Sequence, residues 1–210
     1  MLKLFGHDAS PYVRRVRILL AELQLPFERD THGWQDPAPE LGASSPIQRV
    51  PMLQLGPGAP VRHVFESRVI ARLLFGMPHP RPGGEPPFQD AMVDPALALL
   101  DENVLSVTDA AQDSLVNLFL LEKDGIRPEQ STYLTRQGVR ARGCLDWLER
   151  TYRGRRTLGP GRLAYADVAV ITLLGWIRFR ERLDLGPWTE LLAMEAAHAA
   201  RPSIASTRPG

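Results

Sequence analysis

Residues 1–31, MLKLFGHDASPYVRRVRILLAELQLPFERDT, contain the elements that decide the fold of the first half of the chain. The apolar run Met1–Phe5 predicts a strand, and Ser10 followed by Pro11 is typical of a helix cap and a first helical position. One face of this helix is predicted to be buried, because apolar residues recur at helical spacing: Val13, Val16, Leu19, Leu20 and Leu23. Pro26 ends the helix, and Phe27–Thr31 predicts a second strand. This order predicts a parallel βαβ unit.

A β-hairpin and a closing helix follow. Strands are predicted over Pro51–Leu55 and Val61–Phe65, joined by the turn sequence GPGAP. Ser67 is predicted to cap a helix, and a further helix is predicted within Trp34–Gly42. The apolar face of the helix after Ser67 comprises Val69, Ile70, Leu73 and Leu74. A parallel unit continued by an antiparallel hairpin predicts a mixed four-stranded sheet with helices on its faces, which is an α/β domain.

The segment Gly76–Pro87, GMPHPRPGGEPP, separates two regions of different character. Its many prolines and glycines predict a linker, because no regular element persists in such a sequence. We therefore predict an α/β domain over 1–75, a linker over 76–87 and an all-helical domain over 88–210. The helices predicted in the second domain are 88–110, which Pro95 kinks or restarts, 131–152, 165–182 and 188–200.

Composition excludes several classes of function. The 25 basic and 24 acidic residues leave a net charge of +1, so no field of the whole protein attracts nucleic acid or anionic lipid. The longest apolar stretch, Val168–Ile177, is about half a membrane span, and no membrane association is expected. The single cysteine, Cys144, excludes an intrachain disulfide and fits a reducing, cytoplasmic compartment. The histidines lack metal-ligand spacing, so no metal is expected. The arginines of the first helix, Arg14, Arg15 and Arg17, are interpreted as a solvated face.

Five motifs now stand out along the chain, in this order: SPYVRRVRILLAELQLPFE, SPIQRVPML, FESRVIARLL, LAYADVAVITLLGW and RPSIASTRP. Together they resemble the bacterial glutathione S-transferases, and the resemblance covers both halves of the chain. It implies a thioredoxin-like amino-terminal domain, with the mixed four-stranded sheet, joined to an all-α carboxyl-terminal domain. It also implies glutathione as the co-substrate, a small electrophile as the second substrate, and a homodimer.

Ser10 lies between the first strand and the first helix, where a helix cap is the simplest interpretation. The resemblance to serine-type transferases implies a second role, in which the Ser10 hydroxyl stabilises the glutathione thiolate. A thiol of pKa near 8.5 is only about 3% thiolate at neutral pH, and the thiolate is the nucleophile. His7 and Tyr12 are close enough in sequence to be alternatives for this role.

The resemblance assigns the rest of a tripeptide site. It implies a cis bond between Val50 and Pro51, so that the backbone pairs with the cysteinyl part of glutathione. It places Glu66 on the γ-glutamyl ammonium and Ser67, at a helix amino terminus, on the γ-glutamyl carboxylate. Arg49 is expected to contact the glycyl carboxylate. The segment departs from the common family pattern in two places, with Ser45 in place of asparagine and Gln48 in place of glycine, so a different loop shape is expected.

In the helical domain the resemblance predicts a reciprocal helix cap, serine or threonine three residues before aspartate. Asp167 is present, but Ala164 occupies the first position and provides no side-chain cap. We expect Asp167 still to accept from the Ala164 backbone, with a structural role.

The function predicted is therefore a glutathione transferase in which Ser10 stabilises the thiolate that attacks an electrophile. The alternative is a non-catalytic protein that keeps the fold for partner binding, although a complete peptide clamp argues against it. A glutaredoxin-like thiol reductase is nearly excluded, because the first domain has no cysteine.

Overall fold

The computed structural model describes residues 1–32, 44–78, 95–159 and 162–209. The helix predicted within Trp34–Gly42 and most of the predicted linker over 76–87 lie outside these residues. The chain divides into two compact units, Met1–Pro87 together with Ala200–Gly210, and Phe88–Ala199.

The first unit contains a mixed four-stranded sheet in the order β2-β1-β3-β4. The strands are β1 (Leu2–Phe5), β2 (Phe27–Asp30), β3 (Met52–Gln54) and β4 (His63–Phe65). Strand β1 pairs in parallel with β2 and antiparallel with β3, and β3 pairs antiparallel with β4. The predicted thioredoxin-like sheet is confirmed, because the helix between β1 and β2 forces a parallel crossover whereas the turn between β3 and β4 allows a hairpin.

Two helices complete the sheet. Helix α1 (Pro11–Glu22) begins at the predicted proline, and α2 (Ser67–Phe75) packs against α1. The residues of α1 predicted to be apolar and buried are all inaccessible to solvent: Val13, Val16, Leu19, Leu20 and Leu23. The prediction that Ser67 caps α2 is wrong by one residue, because Ser67 is the first helical residue and Glu66 occupies the cap position.

The carboxyl-terminal segment packs on the first unit, whereas the sequence prediction counted it with the helical domain. Its short helix, α7 (Pro202–Ala205), packs on α1. Arg14 donates to the Ile204 carbonyl at 3.3 Å and to the Thr207 hydroxyl at 3.5 Å. The interpretation of Arg14 and Arg15 as solvated is wrong: Arg14 is 4% exposed and Arg15 0%. Sequence alone gave no sign that the distant segment covers this face of α1.

The second unit is a helical bundle. Its described helices are α3 (Pro95–Lys123), α4 (Thr132–Thr151), α5 (Tyr165–Phe179) and α6 (Thr189–His198), and a 3-10 turn lies at Pro128–Gln130. Helix α3 continues well past the predicted end at Ala110, because no residue stops it before Gly125, whose φ of 78° closes the helix. Length and composition alone would allow α3 to cross a membrane, but it packs against α4 and α5 as the central helix of a bundle does.

Candidate functional site

The register of the sheet brings three chain segments to one edge. Phe5 is paired with Met52, and Met52 is paired with Phe65. The end of β1, the start of β3 and the end of β4 therefore lie side by side. The residues that continue beyond this edge are the Gly6–Ser10 loop, the Val50-Pro51 dipeptide and the Glu66-Ser67 dipeptide. The site residues predicted from the sequence therefore lie just beyond adjacent strand ends: Ser10, Val50, Pro51, Glu66 and Ser67.

The floor beneath these segments is apolar. Phe5 and Met52 are fully buried, and Val50 and Phe65 pack against them. Gly6 fits tightly here, since a Cβ atom at this position would lie 2.4 Å from Val13 Cγ2 and 2.9 Å from Val50 Cβ. Its φ of 135° is also one that residues with side chains rarely adopt. Gly6 therefore allows the loop to lie close to both Val13 and Val50.

Ser10 is buried, with 5% of its surface exposed, at the amino terminus of α1. Its Oγ accepts a hydrogen bond from the Val13 N–H at 3.3 Å, so it is the helix cap that the sequence indicates. This bond uses a lone pair of the oxygen, and among the described residues the hydroxyl proton has no acceptor. The amino end of a helix also carries a partial positive charge. The Ser10 hydroxyl can therefore donate to an anion placed at this end of the helix.

The two alternatives to Ser10 occupy different surroundings. His7 is exposed, and its carbonyl accepts from the Ser10 N–H at 3.2 Å. Tyr12 is half-buried, and the Arg15 guanidinium lies 5.0 Å from the centre of its ring. Ser10 differs from both because it is buried and sits at the cap of the helix.

The segment before β3 contains a cis peptide bond between Val50 and Pro51. Arg49, which precedes this bond, is exposed. Gln48 has a φ of 49°, and its N–H donates to the Ser45 carbonyl at 3.2 Å. Ser45 is 3% exposed, and its Oγ has no hydrogen-bond partner among the described residues. Gln48 therefore takes a left-handed conformation at the position where the resemblance leads us to expect glycine.

Glu66 and Ser67 form the junction between β4 and α2. Glu66 is exposed, with a φ of 69° and ψ of 132°, and its carbonyl accepts from the Ile70 N–H at 2.9 Å. Ser67 is 2% exposed. The Glu66 side chain makes no cap hydrogen bond. The amino end of a helix favours an anion, because its first N–H groups point outward and the helix dipole is positive there. A non-glycine residue with this φ costs about 1–3 kcal/mol and is typical of functional sites.

The helical unit contains a buried carboxyl group that sequence reasoning placed only in part. Asp167 accepts from the Ala164 N–H at 2.7 Å, as expected, and also from the Leu158 N–H at 3.1 Å and the Tyr152 hydroxyl at 2.7 Å. Burial raises the pKa of Asp167 to about 6, although these three hydrogen bonds oppose the rise. Burial and the nearby Asp167 charge raise the pKa of Asp101 to about 7. The contribution of this pair to the stability of the bundle therefore depends on pH.

A metal centre is not formed by the described residues, because no three histidine, cysteine or acidic side chains among them come together. The polar groups at the sheet edge are instead the hydroxyls of Ser10 and Ser67, the Glu66 carboxylate and backbone N–H groups. Such a set suits a small zwitterionic or anionic organic ligand.

A thioredoxin-like sheet with two helix amino termini at one edge, in a chain that also has a helical unit, defines a two-unit thioredoxin-fold protein. The family model "Glutathione S-transferase, N-terminal domain" matches residues 4–82. A glutathione S-transferase from Methylobacterium radiotolerans, crystallised with glutathione sulfonate, is similar at 30% identity and a TM-score of 0.83, over 99% of this chain and 94% of that one. The chain belongs to the glutathione S-transferase family, and it is a glutathione transferase.

Two further relatives agree. A glutathione transferase family member from Pseudomonas fluorescens Pf-5, with bound glutathione, is similar at 26% identity and a TM-score of 0.77, over 100% of both chains. The probable glutathione S-transferase GSTU6 of Oryza sativa subsp. japonica is 28% identical over 192 residues, which are 87% of this chain and 75% of that protein.

Proposed function

We propose that this chain binds glutathione at the sheet edge and joins it, through its sulfur, to a small electrophile. The observation that carries the proposal is the sheet register, which brings Ser10, the Val50-Pro51 bond and the Glu66-Ser67 dipeptide to adjacent strand ends. Membership of the glutathione S-transferase family supports glutathione as the ligand.

Each part of the tripeptide has a matching group. The exposed Glu66 carboxylate binds the γ-glutamyl ammonium, while the Ser67 hydroxyl and the first N–H groups of α2 bind the γ-glutamyl carboxylate. The Val50 backbone pairs with the cysteinyl residue in the manner of an added strand. Arg49 is exposed next to this segment and reaches the glycyl carboxylate. This order places the cysteinyl sulfur towards the amino terminus of α1.

Ser10 stabilises the ionised form of the glutathione thiol. Its hydroxyl donates to the sulfur, and the positive end of α1 favours the same charge. Lowering the thiol pKa by about two units, or about 2.7 kcal/mol, would make most of the bound thiol ionised at neutral pH. The thiolate then forms a C–S bond with an electrophilic carbon, and the leaving group departs with its electron pair. No metal takes part in this proposal.

Two further properties belong to the proposal. We infer a cytoplasmic location from the single cysteine, and a homodimer from the family resemblance. Exposed apolar side chains on α3 and α4 support an interface, namely Leu99, Tyr133 and Val139. A molar mass near 23 kDa by light scattering at micromolar concentration would contradict the dimer.

The test of Ser10 titrates the thiol of protein-bound glutathione by the ultraviolet absorbance of its thiolate, a measurement that needs no electrophile. We expect the thiol pKa in the wild-type protein to lie about two units below that of free glutathione, and to return close to the free value in Ser10→Ala. His7→Ala and Tyr12→Phe are the matched comparisons and should keep the lowered pKa. If the thiol pKa stays low in Ser10→Ala, the proposed role of Ser10 is contradicted. If calorimetric titration of the wild-type protein with glutathione shows no binding, the proposed site is contradicted.

Turnover across a panel of electrophiles and organic peroxides identifies the reaction. We expect Ser10→Ala to lower kcat for conjugation more than it raises KM for glutathione, because the hydroxyl acts on the sulfur and not on the ends of the tripeptide.

A further inference from the structure

The loop Gly6–Ser10 connects β1 to α1 and ends on Ser10. Both backbone groups of Gly6 are bonded to residues of β2: its N–H donates to the Asp30 carbonyl at 2.8 Å, and its carbonyl accepts from Arg29 Nη2 at 2.8 Å. The start of the loop is therefore fixed to the neighbouring strand.

A single carboxylate oxygen fixes the middle of the loop. Asp8 Oδ1 accepts from Arg29 Nη2 at 2.8 Å and from Arg17 Nη1 at 2.8 Å. Arg29 lies on β2 and Arg17 on α1, so Asp8 connects the strand to the helix across the loop. Hydrogen bonds between charged groups are shorter and stronger than neutral ones.

The two guanidinium groups need this carboxylate in order to remain together. Burial lowers the pKa of Arg17, the positive charge of Arg29 lowers it further, and the charge of Asp8 opposes both effects. Arg17 and Arg29 therefore repel one another, and Asp8 offsets the repulsion. Without Asp8, the helix side and the strand side of the loop lose their shared partner and gain an uncompensated repulsion.

We propose that Asp8 is a positioning residue for Ser10, acting through Arg17 and Arg29. The proposal rests on the proposed function, in which the Ser10 hydroxyl contacts the sulfur of glutathione. Asp8 stands two residues before Ser10 and is half-exposed, with a side-chain accessibility of 49%. A pair this exposed contributes little to the free energy of folding, so its effect is on the geometry of the loop.

The test compares Asp8→Ala with Glu195→Ala, which removes a surface ion pair of the same kind. Glu195 accepts from Arg178 at 3.0 and 2.7 Å within the helical unit. In Asp8→Ala we expect kcat for conjugation of 1-chloro-2,4-dinitrobenzene to fall about fivefold with KM for glutathione within about twofold, because the two ends of the tripeptide keep their contacts. We expect the pKa of the bound thiol to rise by about half a unit towards that of free glutathione. Glu195→Ala should change neither quantity.

A second readout requires no turnover. Hydrogen exchange of the amides over residues 6–13 should accelerate in Asp8→Ala and not in Glu195→Ala. Unchanged exchange overturns the proposal, as does a fall in the thiol pKa, which would mean that Asp8 acts through its charge alone. The comparison with Ser10→Ala separates two failures. If Ser10→Ala raises the thiol pKa and Asp8→Ala does not, only the positioning role is lost; if neither does, the proposed role of Ser10 fails as well.

Discussion

Gly6 is the residue on which the geometry of the loop depends most directly. A methyl group at this position would overlap Val13 Cγ2 at 2.4 Å and Val50 Cβ at 2.9 Å, both on side chains held by the core. We expect Gly6→Ala to lower the free energy of unfolding by about 2–4 kcal/mol, because overlap and an unfavourable φ act together. Urea denaturation measures the change.

Gly58 provides a control that separates these two causes. Its φ is 86°, but no atom lies within 4 Å of the position that a Cβ would take. Gly58→Ala should therefore show the cost of the backbone conformation alone, about 1 kcal/mol. Equal losses in the two variants would mean that the close approach of Gly6 to Val13 and Val50 is unimportant.

Two glutamines take a conformation that favours glycine. Gln48 has a φ of 49° in the segment before β3, and Gln24 has a φ of 53° directly after α1. We expect Gln48→Gly and Gln24→Gly each to raise the free energy of unfolding by about 0.5–1 kcal/mol, because removing the Cβ relieves more strain than the added freedom of the unfolded chain costs. Gln48→Ala and Gln24→Ala keep the Cβ and should give no gain. A loss of stability in both glycine variants would contradict the argument.

At the scale of elements, α1 is held to the carboxyl-terminal segment at both of its ends. Arg14 bonds the Ile204 carbonyl near the start of the helix. Near its end, Glu22 accepts from Arg201 Nε at 2.5 Å and Nη2 at 2.6 Å, and from the Ser203 hydroxyl. The Glu22 side chain is 9% exposed, so its charge is poorly solvated without these partners.

We expect Glu22→Gln to destabilise the protein by about 1–3 kcal/mol, because the amide keeps only one of the two acceptor oxygens that pair with Arg201 and provides no negative charge for its guanidinium. Thermal and urea unfolding measure the loss. Glu195→Gln weakens the more exposed pair with Arg178 and should cost less than about 1 kcal/mol. Equal losses of stability in Glu22→Gln and Glu195→Gln would argue against a special role for the Glu22 contacts between α1 and the carboxyl-terminal segment.

Periodicity and caps predicted the elements whose partners are close in sequence. The sheet, α1 and α2 follow from alternating and helical patterns together with Pro11 and Pro26, and the strand order alone brings Ser10, Val50 and Glu66 to one edge. The predicted end of α3 at Ala110 is too early. The helix continues because its apolar face extends through the buried Leu115 and Leu118 and no strong helix breaker interrupts it.

Contacts between distant segments could not be predicted from the sequence. The burial of Arg14 depends on α7, which lies almost two hundred positions further along the chain. The Asp8 network depends on the direction of the Arg29 side chain from β2, and one register shift would reverse that direction. The exposed, left-handed Glu66 depends on how β4 meets α2, which no local pattern specifies.

At the scale of the whole molecule, the acidic pair in the bundle makes folding depend on pH. Within the part of the chain that the structure describes, the ionisable groups that interact with Asp101 are Glu102 on its own helix α3, Tyr152 next to α4 and Asp167 on α5. None of these groups is a cation, so burial and neighbouring negative charge both favour the protonated form of Asp101. The folded protein therefore binds more protons than the unfolded chain between the unfolded pKa, 3.8, and the folded values of about 6 for Asp167 and about 7 for Asp101.

The sign of the pH dependence follows from this difference in bound protons. A group whose pKa is raised on folding stabilises the folded state most at pH values below its unfolded pKa, and the stabilisation is lost as pH rises through the folded pKa. We expect the free energy of unfolding to fall between pH 5 and pH 8, with about 1.4 kcal/mol of the change due to the buried Asp167, because its folded pKa of about 6 lies about one unit above pH 5. Urea denaturation at closely spaced pH values measures the slope.

Asp101→Asn tests which of the two carboxyl groups controls the upper part of this range. An asparagine is neutral at every pH, so we expect the variant to be more stable than the wild type at pH 8, about equal to it only below the unfolded pKa of 3.8, and nearly independent of pH between 7 and 8. Asp167→Asn is the contrasting variant: its single acceptor oxygen cannot serve both the Ala164 and the Leu158 N–H groups, so stability should fall at pH 5, where the wild-type carboxyl group is mostly protonated. A wild-type protein whose stability rises from pH 5 to pH 8, with the same slope in Asp101→Asn, would show that this pair is ionised in the folded state and that its hydrogen bonds outweigh burial.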